Sequence, residues 1–151
     1  MILKNVPFFK QKTSYTCGPA SLKIVFAYWN KKISESRLAK LCGCAGRNFY
    51  INNNVLLEVV EELGFIGKKK NRATFNDLKN AIKSEHPVII NYLDNGIGHF
   101  SVVIGFDTVS LKVIDTYTGR LAAFKIKDFY KIWKGGDGLT IRWMLVIEPK
   151  K

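Results

Sequence analysis

Four side chains in this sequence have types and spacing that could carry nucleophilic chemistry together: Cys17, His99, Asp115 and Gln11. A cysteine attacks as its thiolate, and an unperturbed thiol with a pKa of roughly 8.5 holds little of that form at neutral pH. Cys17 opens the run Cys17-Gly18-Pro19-Ala20. Proline suits a first helical turn because its missing N–H would be unpaired there anyway. A helix start presents free N–H groups and about half a positive charge, both of which favour an anion. Gly18 lets backbone come close. A buried cysteine at a helix start is also commonly inert, so the partners decide the reading.

A thiol nucleophile needs a proton acceptor held in one tautomer by a third polar group. The chain has 2 histidines. His86 precedes Pro87 at an expected helix end and reads as an exposed capping residue, whereas His99 opens an apolar strand behind Gly96-Ile97-Gly98. Asp115 ends the apolar run Leu111-Lys112-Val113-Ile114, where a carboxylate is costly unless paired. It reads as the orienter of His99, under one geometric condition. If 99–106 and 111–116 form a hairpin, Asp115 lies across from Ser101 or Val102. It shares a face with His99 only if the connecting loop has odd length or a bulge intervenes. Gln11, ahead of Cys17 in the chain, can donate its side-chain amide, with the Cys17 N–H, to an oxyanion formed in acyl transfer.

The elements that must position these residues fall into two blocks. Ala20, Ile24, Ala27 and Tyr28 recur with helical spacing after Cys17, with Asn30 as a stop. Ser34 caps a short second helix through Leu41. Val55 to Leu63 reads as a third, with Asn52–Asn54 before it and Gly64 after it. Thr74 and Asp77 fit a capping box for a fourth helix that Pro87 cannot continue. Strands are then expected at Val88–Tyr92, His99–Phe106, Leu111–Thr116, Leu121–Ile126 and Thr140–Ile147, with a short helix over Lys127–Lys134. Helices first and antiparallel strands after is an α+β arrangement. One domain over 1–151 is expected from the length and the lack of repeats or linkers.

These pieces resemble a known family. Val6-Pro7-Phe8-Phe9-Lys10-Gln11, then Cys17-Gly18-Pro19-Ala20-Ser21-Leu22 and Tyr28-Trp29, look like the opening of the C39 cysteine peptidases of the papain-like superfamily. Gly98 to Phe106 resembles that family's histidine strand, Val113-Ile114-Asp115 its aspartate strand, and Phe129 to Trp133 its closing aromatic segment. The resemblance implies N-terminal helices packed on a C-terminal antiparallel sheet. It also implies Cys17 as nucleophile, His99 as base, Asp115 as orienter and Gln11 as oxyanion donor, with cleavage after glycine in a leader peptide. Thr116 stands where relatives often have proline. Many relatives are fused to an exporter, and this chain reads as a stand-alone domain without a transporter. The alternatives are a transpeptidase and a non-catalytic peptide-binding module on the same fold.

Composition narrows the partners. Hydrophobic residues make 47% of the chain and charged ones 24%, as in an ordinary globular domain. No apolar run approaches the roughly 18 residues of a membrane span, and no signal peptide is evident, so the cytosol is the expected compartment. The net charge of +12 favours a peptide or protein substrate with acidic residues. No recognition motif supports a specific nucleic-acid partner, and Lys68-Lys69-Lys70-Asn71-Arg72 reads as a solvated loop. Three cysteines suit a reducing compartment. Cys42 and Cys44 read as core or loop thiols, and no metal or cofactor is called for. Phe8, Phe9, Tyr28, Trp29 and Phe49 read as core or as lining of a peptide groove. An activated Cys17 is expected to have a lowered pKa and to alkylate before the other two thiols near pH 6.

Overall fold

The computed structural model describes residues 1–44 and 51–151; Phe49 lies outside them. Helix α1 spans Cys17–Tyr28, α2 Glu35–Leu41, α3 Asn53–Glu62, α4 Phe75–Lys83 and α5 Ile126–Ile132. The strands are β1 Phe65–Lys70, β2 Val88–Asp94, β3 Ile97–Phe106, β4 Ser110–Asp115, β5 Arg120–Lys125 and β6 Met144–Pro149. They form one sheet in the order β1-β6-β2-β3-β4-β5, each neighbouring pair antiparallel.

Local chemistry sets most boundaries where the sequence places them. Ser34 accepts from the Arg37 N–H at 3.1 Å to start α2. Thr74 and Asp77 bond reciprocally as the expected capping box of α4. Helix α3 starts ahead of the expected Val55 because the Asn52 side chain accepts from the Val55 N–H at 3.1 Å. Two expectations change. Lys68, Lys69 and Lys70 are not a loop: they lie in β1, paired to β6 with Lys68 opposite Val146. Exposed lysines on an edge strand deter further strand pairing, and they hide the alternation that would have revealed it. The last strand begins at Met144 rather than Thr140, because the Asp137 carboxylate accepts the Leu139 and Thr140 N–H groups and holds a turn there.

The sheet has two covered faces. Phe100 and its partner Asn91 face α1: a Cβ on Gly18 would sit 3.3–3.5 Å from Leu56, Ile51 and Phe100. On the other face, Tyr92 packs with Phe124 of β5 and Phe129 of α5, at centroid separations of 5.5 and 5.6 Å. The aromatic expectation divides accordingly: Phe9, Tyr28 and Trp29 pack against the core, and Phe8 is exposed.

The β3–β4 hairpin meets the condition on Asp115. Near its turn Phe106 pairs with Leu111 and Gly105 with Lys112, but beyond it Val103 pairs with Val113 and Val102 with Ile114. Ile104 is the extra residue of a β-bulge. Continuing the register of the turn would put Asp115 opposite Val102, on the face away from His99. The bulge moves it opposite Ser101, on the face of His99. The N-terminal segment covers this irregularity: Leu3 N–H donates to the Ile104 carbonyl at 2.8 Å, and Ile2 bridges to Gly105. A Cβ on Gly105 would come 2.6 Å from the Met1 carbonyl oxygen, so this approach requires glycine.

Candidate active site

The start of α1 is open. Thr16 stands at the N-cap without a side-chain capping bond, Pro19 in the first turn has no N–H, and the Ala20 N–H is taken by the Thr16 carbonyl at 2.9 Å. Among the described residues the Cys17 and Gly18 N–H groups have no hydrogen-bond acceptor, and their dipoles, with that of the Phe100 N–H, pull the Cys17 pKa down. Burial outweighs them and pushes the Cys17 thiol up overall. The direction is therefore opposite to the expected lowered pKa: desolvation of the thiolate outweighs the amide dipoles. Burial also raises Cys42 to about 12 and Cys44 to about 11. Cys42 belongs to the core and Cys44 packs against it. Among the described residues, no three His, Cys, Asp or Glu side chains gather as a metal site.

His99 is fully buried on β3. Its Nε2 lies 3.2 Å from Asp115 Oδ1 and 3.3 Å from Thr116 Oγ1. The carboxylate can only accept, and the Thr116 hydroxyl spends its proton on the Phe100 carbonyl at 2.9 Å. Nε2 therefore carries the imidazole hydrogen, and Nδ1, buried and without a partner among the described residues, keeps its lone pair. The ring stacks on Tyr117, centroids 4.0 Å apart and planes within 1°, and meets the edge of Tyr92 at 5.5 Å. Asp115 Oδ1 is itself fixed by the Tyr117 N–H at 2.9 Å. Burial lowers the His99 pKa against the opposing pull of Asp115, so the imidazole is neutral near pH 7.

Gln11 is buried. Its backbone N–H donates to the Thr116 carbonyl at 2.8 Å, and Nε2 donates to the Thr13 carbonyl at 2.7 Å. Among the described residues Oε1 has no partner, and one Nε2 hydrogen remains. The structure thus joins His99 to Asp115 directly and ties Gln11 to the same cluster through Thr116, and the amide of Phe100, the residue after His99, acts on the Cys17 thiol. His86 lies elsewhere. It is not a free cap but pairs with Glu148 at 3.1 Å, its ring tilted against Trp29.

Sequence reasoning missed three contributors. Thr116, noted only as a departure from proline, touches His99, Phe100 and Gln11. Tyr117 supplies the stacking surface, for which its position two residues after Asp115 was the available signal. Glu35, which reads as an ordinary acidic residue in a first helical turn, is buried and accepts from the Lys12 N–H at 2.8 Å and the Thr16 hydroxyl at 2.9 Å.

A mixed arrangement of helices and a six-stranded antiparallel sheet is the fold of C39 peptidase domains. A C39-like peptidase structure from Bacillus anthracis superimposes with a TM-score of 0.81 at 15% identity, covering 99% of this chain and 98% of that one. The peptidase domain of Streptococcus ComA, a bifunctional ABC transporter of a quorum-sensing pathway, gives 0.78 at 18% identity, covering 97% and 100%. A double-glycine motif protease from an AMS/PCAT transporter, in complex with a leader peptide, gives 0.75 at 23% identity, covering 98% and 94%. The model of the Peptidase_C39 like family matches residues 3–140. The chain belongs to that family. No helix among its described residues is long and apolar enough to cross a membrane.

Proposed function

We propose that this chain is a cysteine peptidase acting through Cys17, His99 and Asp115, with Gln11 as oxyanion donor. The observation that carries the reading is the His99–Asp115 bond at 3.2 Å, which commits Nε2 and leaves Nδ1 as the base. With thiol and imidazole both neutral at rest, Nδ1 takes the Sγ proton as sulfur attacks the peptide carbonyl. The tetrahedral oxyanion then receives the Cys17 N–H and the spare Gln11 Nε2 hydrogen. Collapse expels the amine, which takes the proton back from His99, and water hydrolyses the thioester by the same base in the second half. Family membership and the leader peptide bound by the double-glycine protease support a peptide substrate with a small residue, glycine, before the cut. The +12 charge supports faster association of acidic peptides.

Digestion of a peptide library with mass-spectrometric mapping tests the activity. Cuts are expected after glycine in the wild type and absent in Cys17→Ala; cuts made by both proteins would sink the proposal. Asp115→Asn tests the orienter. An asparagine carbonyl can still accept from Nε2 while the charge is lost, so kcat should fall about tenfold, roughly 1.4 kcal/mol of barrier. Asp115→Ala, which removes the acceptor, should fall further. Equal losses in the two variants would mean that charge, not orientation, is what Asp115 supplies.

A further inference from the structure

We propose that Glu35 is a positioning residue for Cys17: by holding the Thr16 hydroxyl away from the start of α1, it keeps the Gly18 N–H free for the sulfur. The inference rests on Cys17 as the nucleophile, and the experiment below reads the thiol directly, so that loss of peptidase activity and failure of this inference can be told apart.

A threonine at an N-cap ordinarily turns its hydroxyl onto the second or third helical N–H. In α1 the third residue is Pro19, which has none, so the Gly18 N–H is the one such donor a Thr16 cap could claim. Thr16 does not claim it. Its hydroxyl donates to Glu35 Oε2 at 2.9 Å and contacts the Thr13 hydroxyl at 2.7 Å, and its backbone, at φ −105° and ψ 30°, lies outside the extended region that capping residues favour. The same Oε2 accepts the Lys12 N–H at 2.8 Å, next to Gln11. One carboxylate thus fixes the loop that runs from Gln11 to Cys17 at both ends.

The arrangement is costly, and α2 does not need it. Glu35 is 2% exposed, and among the described residues no cation lies on it and its Oε1 has no partner. A buried carboxylate is unfavourable unless its bonds repay the lost water. Helix α2 is already capped by Ser34. What the carboxylate accomplishes lies across the loop, at the start of α1: an N-cap with its cap withdrawn and the Gly18 N–H, next to Cys17, left without an acceptor among the described residues.

The test uses Glu35→Met, which replaces the carboxylate with an apolar chain of similar volume, Thr16→Val, the double variant and Glu35→Gln. Alkylation of Cys17 is followed against pH by mass spectrometry, which separates it from Cys42 and Cys44. The other titratable groups that interact with the thiol, Tyr92, Tyr117 and Cys44, are untouched by these changes, as is the His99–Asp115 pair. In Glu35→Met the freed hydroxyl caps Gly18, and the apparent Cys17 pKa should rise by about one unit, a tenfold loss of thiolate at fixed pH. Adding Thr16→Val removes the competing hydroxyl and should restore the profile. Glu35→Gln, whose amide oxygen can accept both bonds, should stay within about twofold of wild type. Thr16→Asn supplies a capping side chain while Glu35 remains, and should reproduce the upward shift even if Glu35→Met does not fold. An unshifted profile in folded Glu35→Met, or in Thr16→Asn, overturns the proposal, as does a shift that Thr16→Val fails to reverse.

Discussion

His99→Ala is expected to lower kcat for peptide cleavage by about 10²–10⁴-fold, the usual worth of a positioned general base, while KM changes little. The size follows from the protonation states of the site. Burial raises the Cys17 thiol and lowers the His99 imidazole, and both directions favour the neutral forms at rest. The proton must move from sulfur to Nδ1 during attack. Asp115 is bonded to Nε2, on the far side of the ring from Nδ1. The other titratable side chains that contact His99 among the described residues are the phenols Tyr92 and Tyr117. Each is held above the ordinary phenol value by burial, so that neither can accept a proton at neutral pH. The same directions set the pH profile. Activity needs neutral imidazole, whose folded pKa lies below the ordinary value of roughly 6.5, so the acid limb of kcat/KM falls below that pH. The alkaline limb, from Cys17, lies above the ordinary thiol value of roughly 8.5. The wild type should therefore show a broad plateau, and His99→Ala should lose the acid limb along with the rate. An acid limb that survives the substitution at the same pH would assign it to another group and remove His99 as the base.

How much of this was legible in the sequence depends on the range of each interaction. Helix starts are decided within four residues, so Cys17-Gly18-Pro19-Ala20, Ser34 and the Thr74–Asp77 box could be read directly. Strand pairing is not local. The lysines of β1 conceal a strand because edge protection calls for the composition that marks a loop. The bulge at Ile104 decides which face Asp115 shares with His99, yet nothing in Val103-Ile104-Gly105 announces it apart from the glycine. The N-terminal segment that closes over that glycine lies far away in sequence. The His99–Asp115 pair could be anticipated because a carboxylate in an apolar strand demands a partner. The Thr16–Glu35 contact could not, since it joins the starts of two different helices and nothing in either local stretch points to the other. The Cys17 pKa was misjudged for a related reason. Helix-start dipoles are visible in sequence, but the burial that opposes them is a property of the whole fold.

Gln11→Ala should separate activity from stability. Turnover is expected to fall by about 10²–10³-fold, the worth of one oxyanion donor, because a single Nε2 hydrogen remains after the bond to the Thr13 carbonyl. The loss should appear in kcat and not in KM, since the oxyanion exists only past the ground state. Alkylation of Cys17 should be nearly unchanged, because no oxyanion forms in that reaction. Stability should move little. The side chain is buried with Oε1 unpartnered among the described residues, and an orphaned buried acceptor costs about 1–3 kcal/mol, so truncation relieves that cost while giving up packing. The backbone bond from Gln11 N–H to the Thr116 carbonyl survives the substitution and holds the segment in place. The expected melting midpoint is therefore close to wild type in a variant that has lost most of its rate. Gln11→Glu sharpens the contrast. It keeps the volume, forfeits the donor and sets a carboxylate where negative charge develops, so its kcat should fall below that of Gln11→Ala. If both variants instead lose stability in proportion to activity, Gln11 serves the fold of the Lys12–Thr16 loop, and the oxyanion must be held by the Cys17 N–H without it.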